Sequence, residues 1–212
     1  MSLIPIVTDE NATPEQANFF KHCTQMLGRV ANALRVAAHS PKIAQPLLGF
    51  MIPTLREELT GNLSIRIKAL AILKTSILNG CDYCIGHNTQ LGQAVGYSEE
   101  QITALENDYQ NSDQFTPDEK AAIAWAECLT LQTYRERPQV MEELKRHFSD
   151  SQIVEITMVS GFFNFWNRFT DSLQVDLEAT EQVSLIRNSK KVSIEDYLSY
   201  MRSTWWNEYV SD

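Results

Sequence analysis

Three residues that could carry chemistry, Cys81, Cys84 and His87, stand at intervals of three in the sequence. Positions three apart on a helix are neighbours on one face, so Cys81 would lie next to Cys84, and Cys84 next to His87. The thiolate is the reactive form of cysteine, and an unperturbed thiol with a pKa of about 8.5 is mostly protonated at neutral pH. The spacing predicts thiol–disulfide redox chemistry if a thiol pKa is lowered.

Each cysteine has its own means of activation. Asn79-Gly80 breaks the preceding helix and places Cys81 at or near the N-cap of the next, where unpaired N–H groups and the helix dipole favour negative charge. His87 can accept or share the proton of Cys84 and pass it to a departing alkoxide. We therefore predict that Cys84 attacks and Cys81 resolves. The reverse order, with the first cysteine attacking as in thioredoxin-type pairs, uses the same residues.

A structural zinc site and inert packing are the alternatives for this cysteine pair. Zinc needs a fourth ligand, but His22, His39 and His147 stand alone in their segments, and no second Cys-x-x-Cys or His pair is present. We therefore predict no metal. Cys23 and Cys128 fall on apolar helix faces and are predicted to be buried hydrophobes.

The elements that must position the pair are predicted to be helical throughout. Ser or Thr followed three residues later by Glu, Gln or Asp marks repeated helix starts, as at Thr13, Ser98 and Thr116. The apolar segment Ile65 to Leu78 should lie deep in the core, and it ends where the Cys81 helix begins. Ile153 to Leu173 is also assigned to a helix, because a strand there would be isolated.

The N-terminal and C-terminal parts carry weaker signals. One helix is predicted from Thr13 to about Ala38 and a second from Ala44 to Leu59. A last helix, capped by Ser193 to Asp196, is predicted to end at Thr204-Trp205-Trp206. The fold class is thus a single all-α domain, with N-terminal helices in 14–60, a core containing the cysteine pair in 61–178 and an extension in 179–212.

Composition restricts the partners and the compartment. The net charge of −9 over 212 residues opposes binding to nucleic acid or to anionic membrane surfaces. The N-terminus lacks the features of a secretory signal, and no apolar run approaches the ~20 residues of a membrane span. Four cysteines are too few for a secreted disulfide framework. We predict a cytoplasmic protein that does not bind membranes.

Residues 65–87 resemble the core of the carboxymuconolactone decarboxylase family, in particular its alkylhydroperoxidase D-like branch. The Asn79-Gly80-Cys81-Asp82-Tyr83-Cys84 portion, with a following His, carries the resemblance. The resemblance implies an all-helical bundle, a cysteine pair that reduces peroxides or accepts electrons from a disulfide partner, and a homo-oligomer, often a trimer or hexamer. The family's peroxidatic cysteine is the second of the pair and falls on Cys84. The decarboxylase branch lacks the pair and is disfavoured.

Two positions depart from the family pattern. The relay glutamate of the family stands twelve residues before the first cysteine, where this chain has Ala69. The family histidine most often follows the second cysteine by four positions, where this chain has Asn88, so that His87 is turned by about 100° around the helix. Two carboxylates are candidates to replace the relay: Glu58, which shortly precedes the core helix, and Glu155, which matches Ala69 in a faint internal echo.

These observations predict a thiol-dependent peroxidase of antioxidant defence. Its substrate would be a small hydroperoxide, and an external thiol or disulfide reductant would regenerate the pair. No flavin, nicotinamide or haem motif is present, so no bound cofactor is expected. Two alternatives stay open: a disulfide reductase that recycles a partner peroxidase, and a non-catalytic redox sensor.

Overall fold

The computed structural model describes residues 1–184 and 191–205. Within these ranges the regular structure is helical and no strand occurs, so the all-α prediction is confirmed. The helices are α1 (Pro14–Leu27), α2 (Asn32–Ala37), α3 (Pro41–Leu55), α4 (Glu57–Thr60), α5 (Ile65–Leu78), α6 (Asp82–Ala94), α7 (Glu99–Glu106), α8 (Pro117–Leu131), α9 (Pro138–His147), α10 (Asp150–Ser172), α11 (Thr180–Ser184) and α12 (Ile194–Trp205). Trp206, predicted to end the last helix, lies outside the described residues.

The chain divides into two compact units. One is Gly61–Ser172, and the other combines Met1–Thr60 with the described residues from Leu173 onward. The Gly61–Ser172 unit therefore begins at the residue where the 61–178 core was predicted to begin. The grouping of all 212 residues into a single domain stays a prediction.

Helix α5 is the centre of the Gly61–Ser172 unit. It packs against α6, α8 and α10, and its buried positions are not confined to one face. A helix that is apolar on all sides is stable only inside the protein. Two lysines on α5 are also buried, and each has a polar partner: the Lys68 ammonium lies 2.6 Å from Glu155, and Lys74 donates to the Leu105 carbonyl. The deep position predicted for Ile65 to Leu78 is confirmed.

The turn between α5 and α6 sets the position of the cysteines. Gly80 adopts a left-handed conformation, with φ of +65°, which costs glycine little and other residues more. The Cys81 N–H then donates to the Ser76 carbonyl over 3.3 Å, and Cys81 becomes the N-cap of α6. The Asn-Gly break therefore places the first cysteine at a helix N-terminus, as predicted.

Helix α10 supplies the other wall of the site. It is 23 residues long, and its buried residues recur at spacings of three and four, as one face of an amphipathic helix requires. It packs against α5, α6 and α8. The helical assignment of the aromatic segment Phe162 to Trp166 is thereby confirmed.

The other unit corrects two sequence predictions. The helix expected from Ala44 to Leu59 begins earlier, at Pro41, and Arg56 interrupts it with an extended conformation between α3 and α4. The helix expected from Thr13 to Ala38 is wrong, because Gly28 takes a φ of +78° and ends α1 with a left-handed cap before α2 begins. The apolar spacing runs on across this cap, so it gave no sign of the break. Helix α12 packs on α3 through hydroxyl groups, with Tyr197 donating to the Gly49 carbonyl over 2.8 Å.

Candidate redox-active site

Cys81 and Cys84 lie at the N-terminus of α6 with their side chains together. The backbone N–H of Cys84 donates to the Cys81 sulfur over 3.3 Å. Both residues are free thiols and both are buried, with 0% and 2% of their surface exposed. A disulfide needs Cα atoms about 4.4–6.8 Å apart, which positions on adjacent turns of one helix satisfy. The pair can therefore close with little backbone movement.

The hydroxyl of Thr170, on α10, contacts both sulfur atoms. Its Oγ1 lies 3.2 Å from Cys81 Sγ and 3.1 Å from Cys84 Sγ. The same oxygen lies 3.0 Å from the Trp166 carbonyl and 3.2 Å from the Asn167 carbonyl of its own helix. Sequence reasoning did not identify Thr170, because 86 residues separate it from Cys84 and no local motif connects them. Its only signal was a threonine on the buried face of the predicted helix.

The pKa values of the two thiols are shifted in opposite directions. The pKa of Cys81 is lowered to about 7, first by a hydrogen bond from the Cys84 side chain and then by Thr170 and the Cys84 N–H, although burial opposes the change. The pKa of Cys84 is raised by its hydrogen bond to Cys81 and by burial. The negative charge is therefore favoured on Cys81, and the proton stays on Cys84.

His87 packs against Tyr83 at the outer side of α6. The two ring centroids lie 4.4 Å apart with the planes inclined by 33°. Tyr83 is buried and His87 is half-buried, so the imidazole lies closer to the surface than the sulfur atoms. The proposed transfer of a proton between His87 and Cys84 stays a prediction.

A layer of buried polar groups lies beside the pair. Asn88, at the position of the family histidine, donates from Nδ2 to the Ser76 hydroxyl over 2.9 Å. Ser76 Oγ in turn donates to the Ile72 carbonyl over 2.9 Å and lies 3.4 Å from Asn167 Oδ1. Asn167 is fully buried, and its Nδ2 has no partner among the described residues. These groups join α5, α6 and α10 around the cysteines with hydrogen bonds rather than apolar contacts alone.

The structure places one of the candidate carboxylates, Glu155, away from the cysteines. Glu155 lies near the start of α10, fifteen residues before Thr170, which at about 1.5 Å per residue is roughly 22 Å along the helix. There it pairs with Lys68 and accepts from Asn62 Nδ2 over 2.8 Å. Glu58 lies in the other unit, where it accepts from the Val192 N–H over 3.0 Å.

The remaining cysteines are structural. Cys23 and Cys128 are both fully buried, which confirms the prediction, and burial raises the pKa of Cys23. Cys128 packs in the apolar cluster that includes Trp125 and Leu144. In the described ranges, no group of three or more His, Cys, Asp or Glu side chains is arranged to hold a metal ion. None of the described helices combines the length and apolar character needed to cross a membrane.

Comparison with known proteins supports the resemblance seen in the cysteine motif. Residues 47–127 match the model of the carboxymuconolactone decarboxylase family. This segment belongs to that family. A relative in Bacillus subtilis (strain 168), the uncharacterized protein YdfG, is 28% identical over 104 residues, which cover 49% of this chain and 70% of YdfG.

Solved structures show the same helical architecture. The debrominase Bmp8 superposes with a TM-score of 0.71 at 21% identity, covering 88% of this chain and 98% of Bmp8. The Agrobacterium tumefaciens protein ATU0492, a candidate antioxidant defence protein AhpD, superposes with a TM-score of 0.59 at 27% identity, covering 68% of this chain and 95% of its own. The fold is therefore of the alkylhydroperoxidase D-like type, as predicted, and proteins of this fold include enzymes of different activities.

Proposed function

We propose that this protein is a dithiol peroxidase that reduces small hydroperoxides through Cys81 and Cys84. The observation that carries the proposal is that one hydroxyl, Thr170 Oγ1, contacts two free sulfur atoms 3.2 and 3.1 Å away, one of which has a lowered pKa. A thiolate at neutral pH supplies the nucleophile, and a second thiol beside it supplies both a proton and the partner for a disulfide.

The first step forms a sulfenic acid. The Cys81 thiolate attacks the terminal oxygen of the hydroperoxide, so that an S–O bond forms, the O–O bond breaks and an alkoxide departs. The alkoxide takes the proton of the neighbouring Cys84 thiol and leaves as an alcohol.

The second step forms the disulfide. The Cys84 thiolate attacks the Cys81 sulfur, an S–S bond forms, and hydroxide leaves and is protonated to water. The two thiols have then been oxidised by two electrons and the hydroperoxide reduced by two. Two external thiols, or one dithiol, return both electrons by thiol–disulfide exchange and are themselves oxidised to a disulfide.

This order of attack reverses the order predicted from the sequence. The family resemblance and His87 favoured Cys84 as the nucleophile. The helix N-terminus and the Cys84 N–H favour negative charge on Cys81 instead, whereas the Thr170 hydroxyl lies at nearly the same distance from both sulfurs. We propose that His87 exchanges a proton at the outer side of the site.

Burial of the pair restricts the substrate. With 0% and 2% exposure, neither sulfur can meet a bulky substrate unless covering side chains move aside. An uncharged molecule as small as hydrogen peroxide or a short alkyl hydroperoxide loses the least hydration on entering such a site. We therefore propose small neutral hydroperoxides as the substrate class.

Steady-state peroxide consumption with dithiothreitol as reductant tests the proposal. We expect turnover in the wild type, loss of turnover in Cys81→Ser and Cys84→Ser, and full turnover in Cys128→Ser, which removes a buried thiol outside the site. A wild type that consumes no peroxide alone but does so once a partner peroxidase is added would favour the disulfide reductase. Absence of turnover in both assays, with reversible formation of the disulfide, would favour the redox sensor.

Reductive debromination is a second candidate for the same dithiol. It is favoured by the likeness to Bmp8 over 88% of the chain and by the aromatic Tyr83–His87 pair on the cysteine helix. The balance is again two electrons: a C–Br bond becomes C–H, bromide leaves with a proton, and two thiols become a disulfide. A cysteine-to-alanine variant of Bmp8 has been crystallised with 2,3,4-tribromopyrrole, so release of bromide from that compound is the direct assay.

The partners and the compartment are also proposals. The cycle needs a thiol reductant, and the cytoplasm maintains one, so we propose that the protein acts there. The homo-oligomer implied by the family resemblance stays a prediction.

A further inference from the structure

The Thr170 hydroxyl has more acceptors within reach than it has protons. Its single hydrogen can be donated to Cys81 Sγ, to Cys84 Sγ, or to the carbonyl oxygens of Trp166 and Asn167, all within 3.2 Å of Oγ1. A threonine inside a helix commonly donates to the carbonyl four residues earlier. Only one of the two arrangements, toward sulfur or toward the helix backbone, holds at a time.

The charge on sulfur decides between these arrangements. A thiolate is a stronger acceptor than a carbonyl oxygen that already receives a helical hydrogen bond. A disulfide sulfur is neutral and accepts weakly. The hydroxyl should therefore donate to sulfur in the reduced anionic state and turn back to the α10 carbonyls once the pair is oxidised.

We infer that Thr170 is a positioning residue of the redox pair, which donates a hydrogen bond to the thiolate in the reduced state and withdraws to the α10 backbone on oxidation. This role rests on the dithiol chemistry proposed above. Thr170 contacts both sulfurs from a different helix, so it also fixes their orientation relative to each other. Thr170 is neither oxidised nor reduced, and its hydroxyl keeps its proton while the hydrogen bond moves from one acceptor to another.

Stabilising either the dithiol or the disulfide shifts the redox equilibrium of the pair toward that state. A hydrogen bond to the thiolate favours the reduced form, which makes the disulfide easier to reduce. The other charged groups near the pair do not replace this hydrogen bond: Asp171 on α10 opposes the thiolate, and Asp82 on α6 is exposed. His87, on the same helix, packs against the Tyr83 ring and is present in the wild type and in every variant, so its effect is common to all of them.

The variants Thr170→Val and Thr170→Ser separate the hydroxyl from its packing. Val keeps the shape of the side chain and removes the donor, whereas Ser keeps the donor. Thr75→Val is the matched control, because Thr75 is also buried on a neighbouring helix, and its hydroxyl bonds to Ser160 over 2.8 Å rather than to a cysteine. Circular dichroism and thermal unfolding establish that each variant is folded.

Two readouts test the role. We expect alkylation of Cys81 at neutral pH to slow about five- to tenfold in Thr170→Val and to recover in Thr170→Ser. Against glutathione at about pH 9, where Cys81 is ionised in the wild type and in the variant, the equilibrium constant for disulfide formation should rise about tenfold in Thr170→Val, which corresponds to about 30 mV for a two-electron couple. Thr75→Val should match the wild type in both.

The outcomes distinguish this inference from the proposed function. If Thr170→Val folds and matches the wild type in alkylation rate and redox equilibrium, Thr170 has no positioning role even though the dithiol is active. Equal changes in Thr170→Ser and Thr170→Val would assign the effect to packing and also overturn it. A wild type in which Cys81 and Cys84 never form a disulfide would end the proposed function first.

Discussion

The Cys84 N–H donates to the Cys81 sulfur over 3.3 Å, so the first cysteine of the pair caps the helix that carries the second. A residue at the N-cap usually presents an oxygen to the free N–H groups of the first turn. Sulfur accepts more weakly than oxygen when neutral, but a thiolate completes the cap with a full negative charge. The position of Cys81 at the N-cap thus stabilises the ionised form of this thiol.

The first prediction is the pH dependence of Cys81 reactivity. Because its pKa is lowered to about 7, the thiolate fraction should rise with pH through neutrality and level off in mild alkali. Below pH 7 the alkylation rate should fall about tenfold for each pH unit. Mass spectrometry after timed iodoacetamide pulses measures it site by site.

Cys23 is the internal reference for that experiment. Burial raises its pKa, so it should stay unmodified across the whole range in the folded protein. A Cys81 profile centred near the ordinary value of about 8.5 would contradict the hydrogen-bonding account.

The second prediction concerns which sulfur becomes the sulfenic acid. In Cys84→Ser the sulfenic acid on Cys81 has no thiol partner, so a peroxide pulse followed by unfolding in the presence of dimedone should label Cys81. In Cys81→Ser, the remaining Cys84 thiol has a raised pKa and should be labelled far less at neutral pH. Strong labelling of Cys84 and weak labelling of Cys81 would restore the order first predicted from the sequence.

The third prediction concerns the buried ion pair of Lys68 and Glu155. Lys68 is fully buried, so Glu155→Gln leaves its charge without its carboxylate and should lower the free energy of unfolding by about 3 kcal/mol. The double variant Lys68→Met with Glu155→Leu should recover much of that loss. Urea unfolding of the wild type and the two variants measures the effect.

The same variant tests the relay. Glu155 lies roughly 22 Å along α10 from Thr170, so folded Glu155→Gln should consume peroxide at the wild-type rate per molecule. A large loss of turnover in protein shown to be folded would return Glu155 to the mechanism.

Local signals predicted some elements well and missed others for physical reasons. The boundary between α5 and α6 was predictable because Asn-Gly breaks a helix by its own conformational preference. The break at Gly28 was missed because the buried spacing of Phe19, Cys23 and Met26 continues to Leu34 on the next helix. One apolar face does not reveal whether its backbone is continuous.

The candidate site divides in the same way. Cys81 and Cys84 belong to one turn of chain, so their spacing alone brought them together. Thr170 reaches them through the packing of α10 on α6, which nothing in the neighbouring sequence encodes. The faint internal sequence similarity aligned Glu155 with Ala69 and so suggested a place near the cysteines. The position of Glu155 along α10 instead brings its carboxylate to the Lys68 ammonium.

The last prediction tests the turn that carries the pair. Gly80 has a φ of +65°, and a Cβ at this position would meet no atom within 4 Å, so Gly80→Ala costs only backbone strain. We expect a loss of about 1 kcal/mol in the free energy of unfolding and slower alkylation of Cys81, because relaxing the strain displaces the N-cap. Gly161→Ala is the matched control: its Cβ also meets no atom within 4 Å, but it lies inside α10.

Alanine is favoured over glycine within a helix, so Gly161→Ala should stabilise the protein by about 0.5–1 kcal/mol and leave Cys81 reactivity unchanged. Thermal unfolding and alkylation kinetics on the two variants give both numbers. Equal stability changes of the same sign would show that the left-handed conformation at Gly80 is not required. An unaltered alkylation rate in a destabilised Gly80→Ala would separate the turn from the reactivity of the thiol.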